Sequence, residues 1–518
     1  MVLLGIALGA PMVADGISSP YAVGVGFAGI LMGFSGLLLI YRVLLNWFSQ
    51  GSALFACVLV WFASPLQWYM VDQAWMSHTN SFFAGSLVLF VWIRSMERPD
   101  LSNLCCMGAV IGLAMLVRPS HAVLIPLLVF PAVVGYQREH NIRSVLYKLV
   151  AGFVCVLIFF SPQLITWYLR SGFDGPPGSQ MSWFSPSMLN VLFSGHHGLI
   201  SWHPMVLFGF SGIPLVWSRS RGLAVGLAIV VVLYWYVNAS IYSWWGGVSF
   251  GMRRFVGVLP FFSIGIAAMG DYVFREKRPR GWFRPLALVL CLSLYNGALT
   301  SAYREHHVTP GGPVSFANVW ASMIDRVHWT YGNPLAYPAN LLFALEYGAA
   351  LGQYDFLSSD PIRLDRFSVK GFEVRRYLGR GWIGNKMYSR VSNSTVVAVE
   401  QSCEILLPLR GNKNYVLRAR MSLPVKFGKL QRITFRLNGE EIKVVTIEPR
   451  RTNEIVLKLD RDKIEHGLNR LELDFEESKV FPSFRWTRNS GRGLSVATLK
   501  GLEIFGALDD LHLREDRK

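Results

Sequence analysis

The 518-residue chain is 52% apolar and 14% aromatic with only 16% charged residues, a composition that argues against an ordinary soluble domain and for a membrane protein. Its formal net charge of +17 could suggest nucleic acid, yet no basic run sits on a nucleic-acid module and several basic clusters lie between apolar stretches, so membrane topology explains the charge and no nucleic-acid partner is expected. Cys57, Cys105, Cys106, Cys155 and Cys291 lie in apolar segments and only Cys403 in the polar part, so no disulfide framework is implied.

Met1 opens into Val-Leu-Leu-Gly-Ile-Ala-Leu-Gly-Ala with no basic n-region, in a stretch too short to span comfortably. An apolar half-helix of this kind leads us to expect preceding sequence; the alternative is translation that begins inside what was once a longer protein. Charge-poor runs then recur at about 21–42, 51–70, 79–96, 103–117, 121–136, 146–168, 203–217, 222–239, 253–274 and 284–303, each near the roughly 20 residues a helix needs to cross hydrocarbon. This predicts a polytopic α-helical membrane domain of about 10–11 spans.

The short loops alternate in charge. Arg94 and Arg98, then Arg138, Arg143 and Lys148, then Arg219 and Arg221, then Arg275, Lys277, Arg278, Arg280 and Arg284 fall on one side, which the positive-inside rule makes cytoplasmic. The other side, periplasmic or external, receives Val71 to Thr79, Ser171 to His203, Trp244 to Arg254 and everything after about residue 304. Larger aromatic and Gly/Pro-containing loops on that face place the expected chemistry there, since loops on a rigid scaffold commonly carry function.

Beyond the last span, Pro310-Gly-Gly-Pro313 and Asn333-Pro-Leu-Ala-Tyr-Pro338 interrupt amphipathic pieces such as Asn340 to Gly352, which reads as an interfacial connector. From about Phe367 the period becomes two, in runs at 394–399, 404–409, 415–421, 432–437, 441–447, 454–459, 468–475 and 494–505, the pattern of an all-β, jelly-roll-like sandwich. Asn438-Gly439 between two runs predicts a type I′ hairpin. The expected organisation is a membrane domain over 1–303, a connector over 304–366, a β-sandwich over 367–508 and a charged tail over 509–518.

The segment Tyr242-Ser-Trp-Trp-Gly-Gly-Val-Ser-Phe-Gly-Met-Arg-Arg254 carries the most chemistry. Glycines let backbone approach a ligand, tryptophans offer flat faces to sugar rings or headgroups, and arginines hold phosphate oxygens in a fork. Trp244 and Trp245 read separately as belt residues, and Arg253 and Arg254 as a helix-end anchor; their union with Gly246, Gly247 and Gly251 favours ligand contact. Asp72, in the outward segment 68–81, is a candidate acid that could deprotonate an acceptor hydroxyl or hold a metal, against the plainer reading of a solvated loop acid; His78 nearby reads as a polar cap. Arg118, with His121 close behind it, ends a span where a lipid phosphate or ordinary headgroups would suit it equally. His196, His197 and His203 invite a metal proposal, but no acid is spaced beside them in a known ligand pattern, so hydrogen bonding to a polar ligand or interfacial placement is favoured; a divalent metal stays open and no cofactor is certain. In the sandwich, Trp382, Trp486 and many arginines come without paired carboxylates or a nucleophile motif, which favours a structural or glycan-contacting accessory domain.

Three stretches taken in order, Gly112-Leu-Ala-Met-Leu-Val-Arg-Pro, Gly198-Leu-Ile-Ser-Trp-His-Pro and Trp244-Trp-Gly-Gly-Val-Ser-Phe-Gly-Met-Arg-Arg, resemble bacterial polytopic GT-C-type glycosyltransferases related to protein mannosyltransferases and aminoarabinose transferases. The resemblance covers roughly residues 1–350 and rests on loose motifs. It implies inverting transfer of a sugar from a polyprenyl-phosphate donor to a lipid, glycan or protein acceptor at the outer face of the bacterial inner membrane. An acid would activate the acceptor and cationic groups would stabilise the leaving phosphate. Carried over, Arg118, Arg253 and Arg254 look like phosphate-side groups, and Asp72 like the acid of a later outer loop. The family's principal acid lies in a first large outer loop between the first two spans, and that loop is missing here: Asp15 is the earliest acid, in too short a loop. Gly467-Leu-Asn469 and Gly493-Leu-Ser-Val-Ala497 look like galactose-binding-type or jelly-roll modules, a fold analogy that does not itself show sugar binding. The expected activity is that of a membrane glycosyltransferase. Its rivals are a lipid-sugar transporter or flippase, for which no internal repeat is visible, and a non-catalytic glycan-binding membrane protein.

Overall fold

The computed structural model describes residues 19–172, 180–274, 283–304, 313–359, 366–370, 377–383, 396–398, 401–409, 411, 413–422, 430–448, 452–476 and 497–506. Expectations for the N-terminal half-helix and Asp15, for Arg275, Lys277, Arg278 and Arg280, for residues 310–312, for Trp486, for residues 493–496 and for the charged tail lie outside the described residues. The chain divides into two compact units, Met1–Trp320 and Ala321–Lys518.

The first unit is helical, with α1 Ser19–Leu44, α2 Gln50–Phe62, α3 Leu66–Val71, α4 His78–Glu97, α5 Leu101–Val117, α6 Val129–Glu139, α7 Ile142–Ser171, α8 Met188–Phe193, α9 Leu199–Trp202, α10 Val206–Trp217, α11 Arg221–Ser240, α12 Leu259–Phe274 and α13 Phe283–Arg304. Among the described residues six helical stretches are long and apolar enough to cross a membrane: Tyr21–Leu44, Pro119–Glu139, Ile142–Arg170, Arg221–Ser240, Arg253–Tyr272 and Leu286–Arg304. Helices α2, α5 and α10 are apolar but shorter. The chain is a multi-pass membrane protein; nine of the ten predicted runs fall on these helices and the run over 79–96 forms α4, but among the described residues six stretches, against the 10–11 spans expected, are long and apolar enough to cross.

Two predicted spans differ in shape. The run over 51–70 is broken between Phe62 and Leu66, because Pro65 has no N–H for the helical ladder and its ring clashes with the preceding turn. The run over 121–136 begins as a 3₁₀ segment, Pro119–Leu128, with Pro126 inside it, before becoming α6. Side-chain caps start several helices: Ser49 accepts from Ser52 N, Asp100 from Asn103 N, Asn141 from Ser144 N and Ser220 from Leu223 N.

Helices touch backbone to backbone where both carry glycine. A Cβ on Gly212 would lie 1.8 Å from the Gly265 carbonyl oxygen, and one on Gly108 would lie 1.9 Å from that of Gly152. At the end of the bundle where α2 begins and α12 ends, Asp271 accepts from Ser49 N, Ser49 Oγ, Ser52 Oγ (2.7 Å) and Arg219 Nη2 (2.6 Å). Arg219 also donates to the Trp47 carbonyl and lies over the Phe48 ring. Two connections, between α1 and α2 and between α10 and α11, are thereby stapled to α12 at that end, and the candidate site occupies the other.

A helix α14, Phe316–Tyr331, runs across the division, and the second unit contains α15 Tyr337–Tyr347 and α16 Gln353–Ser359 before its strands. The strands are β1 Arg366–Lys370, β2 Trp382–Ile383, β3 Val396–Ala398, β4 Ser402–Leu409, β5 Tyr415–Ser422, β6 Gln431–Leu437, β7 Glu440–Ile447, β8 Thr452–Leu459, β9 Gly467–Phe475 and β10 Ala497–Gly506. They form two antiparallel sheets, β2-β3-β10-β5-β8 with β1 also on β10, and β4-β9-β6-β7. Alternation accounts for the core: Ile405, Leu407 and Leu409 from β4, Leu417, Ala419 and Met421 from β5, Ile433, Phe435 and Leu437 from β6, and Leu471, Leu473 and Phe475 from β9 are all buried in one cluster. Asn438 and Gly439, at φ 52° and 89°, make the turn between β6 and β7, both in the left-handed region that a type I′ hairpin requires. Trp382 is buried and donates to the Glu404 carbonyl, so this ring serves the core and offers no face to a glycan.

Candidate functional site

Arg118 stands immediately before Pro119, and the proline ring forces it out of the helix into extended backbone (φ −153°, ψ 122°), which ends α5. Its guanidinium turns toward the start of α4, where Nη1 donates to Nδ1 of His78 at 2.8 Å. An accepting Nδ1 carries no proton, so His78 is neutral and adds no negative charge. His78 is buried, and its ring packs 4.2 Å, centroid to centroid, from that of Tyr69 on α3.

The segment after α11 brings two more guanidinium groups to this place. Gly246, Gly247 and Gly251 all have positive φ, at 82°, 72° and 57°, so the glycines are needed for the path of the loop. A Cβ on Gly246 would lie 3.7 Å from Nε of Arg253, so the Arg253 side chain lies along the double glycine. Arg254 donates from Nη2 to Ser243 Oγ at 3.1 Å, and its carbonyl accepts from Tyr234 Oη, which also meets Ser120 Oγ at 3.2 Å. Nε of Arg253 and Nη1 of Arg254 are buried and meet no hydrogen-bond partner among the described residues.

Arg118, Arg253 and Arg254 lie within electrostatic reach of one another, and among the described residues none of them pairs with a carboxylate. Burial pulls the Arg118 guanidinium below its usual range and Arg253 pulls the same way, while Tyr234 opposes them. Three half-buried guanidinium groups, with a buried donor unused on Arg253 and on Arg254, have the chemistry to hold an anion, because desolvated cations gain most from a charge-assisted acceptor.

The aromatic part of the loop forms a second group. His197 donates from Nδ1 to the Trp245 carbonyl at 2.8 Å, and the His196 ring stacks on Trp245 at 5.7 Å and 24°. Trp244 stands edge-on to Trp245, with centroids 5.8 Å apart at 84°. Burial pushes His197 down to about 4 and His203 down to about 3, so both imidazoles are neutral near pH 7. Among the described residues no group of three or more His, Cys, Asp or Glu could hold a metal ion, so His196, His197 and His203 do not assemble into such a centre.

Beneath the loop lies an aromatic bed. Phe250 stacks on Trp68 at 4.9 Å and 22° and meets Trp202 and Tyr303 edge-on at 5.6 Å and 5.5 Å, while Tyr69 Oη donates to the Phe250 carbonyl at 3.0 Å. Asp72, which ends α3, is held by the last residue of α13: Arg304 donates from Nε to Oδ1 at 2.8 Å and from Nη2 to Oδ2, with its guanidinium over the Trp68 ring. The structure thus brings Arg118, Arg253 and Arg254 together, and His196 and His197 together with Trp244 and Trp245, and places Asp72 in an ion pair. Sequence reasoning missed Arg304, Tyr69, Tyr234 and Ser243, and read His78 as a mere cap. Apart from Ser243, eleven residues from Arg254, their partners are remote in sequence, so no local spacing exposes them.

The comparisons bear on part of the chain. Residues 17–167 match the dolichyl-phosphate-mannose-protein mannosyltransferase family. Over that stretch the chain is glycosyltransferase-like, and the matched residues include Asp72, His78 and Arg118. No curated protein matches the sequence. Among solved structures, a Podospora anserina GH26-CBM35 beta-(1,4)-mannanase is similar at 11% identity and a TM-score of 0.18, over 28% of this chain and 29% of that one.

Proposed function

We propose that this chain transfers a sugar from a polyprenyl-phosphate donor to a lipid, glycan or protein acceptor at the outer, periplasmic face of a bacterial inner membrane. The observation that carries the reading is the trio Arg118, Arg253 and Arg254, three guanidinium groups without a carboxylate partner among the described residues. A donor phosphate would accept from these groups, and as the glycosidic bond breaks they would stabilise the charge growing on the leaving phosphate. Trp244, Trp245 and His196 offer stacked and edge-on faces to the sugar, and His197 holds the Trp245 backbone in place. Asp72 is the acid assigned to the acceptor hydroxyl, from which it would take the proton.

The ion pair between Asp72 and Arg304 favours a second reading, binding of the phosphate lipid without transfer. Both oxygens of this carboxylate are engaged by Arg304, and the carboxylate must leave that guanidinium before it can reach an acceptor hydroxyl. Membranes containing the full chain, incubated with a labelled polyprenyl-phosphate sugar, separate the two. On the transfer reading the wild type labels an acceptor, Arg118→Ala and Arg253→Ala lose at least about tenfold in donor retention, and Asp72→Asn keeps retention but loses transfer. Retention by the wild type with no transfer supports the binding reading. Undiminished retention in both arginine variants removes the site.

A further inference from the structure

Three pieces of chain carry His78, Arg118 and Arg254, and each makes a further contact one turn on. His78 begins α4, and Ser81 follows it on the same face. Arg118 opens the 3₁₀ segment Pro119–Leu128, where His121 N donates to the Arg118 carbonyl at 3.0 Å, so the His121 side chain stands one turn beyond the guanidinium. Arg254 lies in a second 3₁₀ segment, Arg253–Val258, and Gly257 stands one turn beyond it.

Those three residues meet. Ser81 Oγ and Nε2 of His121 are 2.8 Å apart, and both side chains are fully buried. A Cβ on Gly257 would lie 2.4 Å from Ser81 Oγ and 2.7 Å from Cε1 of His121, so the backbone of the second 3₁₀ segment rests directly on the pair and needs a glycine to do so. One turn further along α4, a Cβ on Gly85 would lie 2.1 Å from the Gly257 carbonyl oxygen, which extends the same contact. Among the described residues Ser81 is the hydrogen-bond partner of the His121 ring, whose Nδ1 is buried and meets none, so the orientation of the ring depends on that bond. Packing alone does not call for a polar pair at this depth. Apolar side chains of the same shape would fill the space without desolvating a hydroxyl and an imidazole, but they would leave the segments free to slide, whereas a hydrogen bond is directional.

We propose that Ser81, His121 and Gly257 form a seat that sets the spacing of Arg118 and Arg254 around a single phosphate, with Ser81 and His121 as positioning residues that touch no ligand themselves. Arg118 is then held twice against α4, at its guanidinium by His78 and one turn on by the pair of His121 with Ser81. The inference rests on the phosphate-lipid reading of the arginines.

The test titrates the full chain in nanodiscs with radiolabelled undecaprenyl phosphate, well below the melting temperature of every variant. Ser81→Ala is expected to weaken retention by about fivefold, the worth of one hydrogen bond. Ser95→Ala, which removes a buried hydroxyl from the far end of the same helix, is expected to stay within about twofold. His121→Gln, with a polar group near the place of Nε2, is expected to retain the lipid better than His121→Leu. In an Arg118→Lys background, where the fork is already lost but a charge remains, Ser81→Ala should cost less than about twofold, because its effect passes through that arginine. Equal losses for Ser81→Ala and Ser95→Ala, an undiminished loss in the Arg118→Lys background, or no difference between Gln and Leu at 121 overturn the inference and leave the phosphate-lipid reading standing. Failure of the wild type to retain the lipid removes that reading, and the inference with it.

Discussion

Arg118 donates to Nδ1 of His78 at 2.8 Å across forty residues of sequence, and this contact decides the charge of the candidate site. A carboxylate in the place of His78 would neutralise the guanidinium, whereas a neutral imidazole orients it and leaves its charge to a ligand. His78→Gln retains an acceptor and is expected to keep donor-lipid retention within about threefold of wild type. His78→Ala leaves a buried donor unmatched, costing about 1–3 kcal/mol, and retention is expected to fall by about tenfold or more. Retention of the labelled lipid by purified protein in nanodiscs measures both.

The glycines of the loop differ in what they tolerate. Gly247 has φ 72° and the nearest atom to a Cβ there, Arg253 Nη2, is 4.0 Å away, so Gly247→Ala meets backbone strain alone, about 1 kcal/mol. At Gly251, with φ 57°, a Cβ would also come within 2.2 Å of His203 Nε2, so Gly251→Ala adds a clash inside the aromatic bed. Thermal unfolding in detergent should show a small loss for the first variant and a loss of at least about 3 kcal/mol for the second.

Acid is expected to destabilise the protein through His197 and His203. Their folded values, about 4 and about 3, lie below the ordinary 6.5. Between pH 6.5 and about 4 the unfolded chain therefore binds more protons at these positions than the folded one, so stability is full above pH 6.5 and falls as the pH falls. The melting temperature in nanodiscs should drop by on the order of 5 °C from pH 7 to pH 5. His197→Gln keeps a donor for the Trp245 carbonyl and should reduce that drop.

The staple at the opposite end gives a control for site-specific effects. Asp271→Asn removes the charge that faces Arg219 and is expected to cost about 2 kcal/mol, a value reduced from that of a fully buried pair because both side chains retain some exposure. Donor-lipid retention at a temperature well below unfolding should be unchanged. A parallel fall in retention would show that the two ends are coupled.

The architecture was readable because each level of it is periodic. Charge-poor runs marked the helices, and alternation marked strands such as β4 to β9 to within two residues. The break at Pro65 was read through because the apolar character of 51–70 is continuous although its backbone cannot be. Strands β1 and β2 were not separated from irregular chain; β2 is two residues long and too short to show a period. At the site, sequence showed which residues had the right chemistry but not which of them meet. Arg304 lies 232 residues from Asp72, and no spacing rule connects it to Asp72 or Arg118 to His78.

The loop also carries its own optical label. Two indoles, Trp244 and Trp245, are fixed 5.8 Å apart and nearly perpendicular, with the His196 ring stacked on one of them. Chromophores held so close in a fixed chiral arrangement share their excitation, and their circular dichroism depends on the angle between them. A sugar ring that displaces His196 or turns either indole would change that signal, so occupancy can be followed in the unmodified protein without a dye or a radioactive donor.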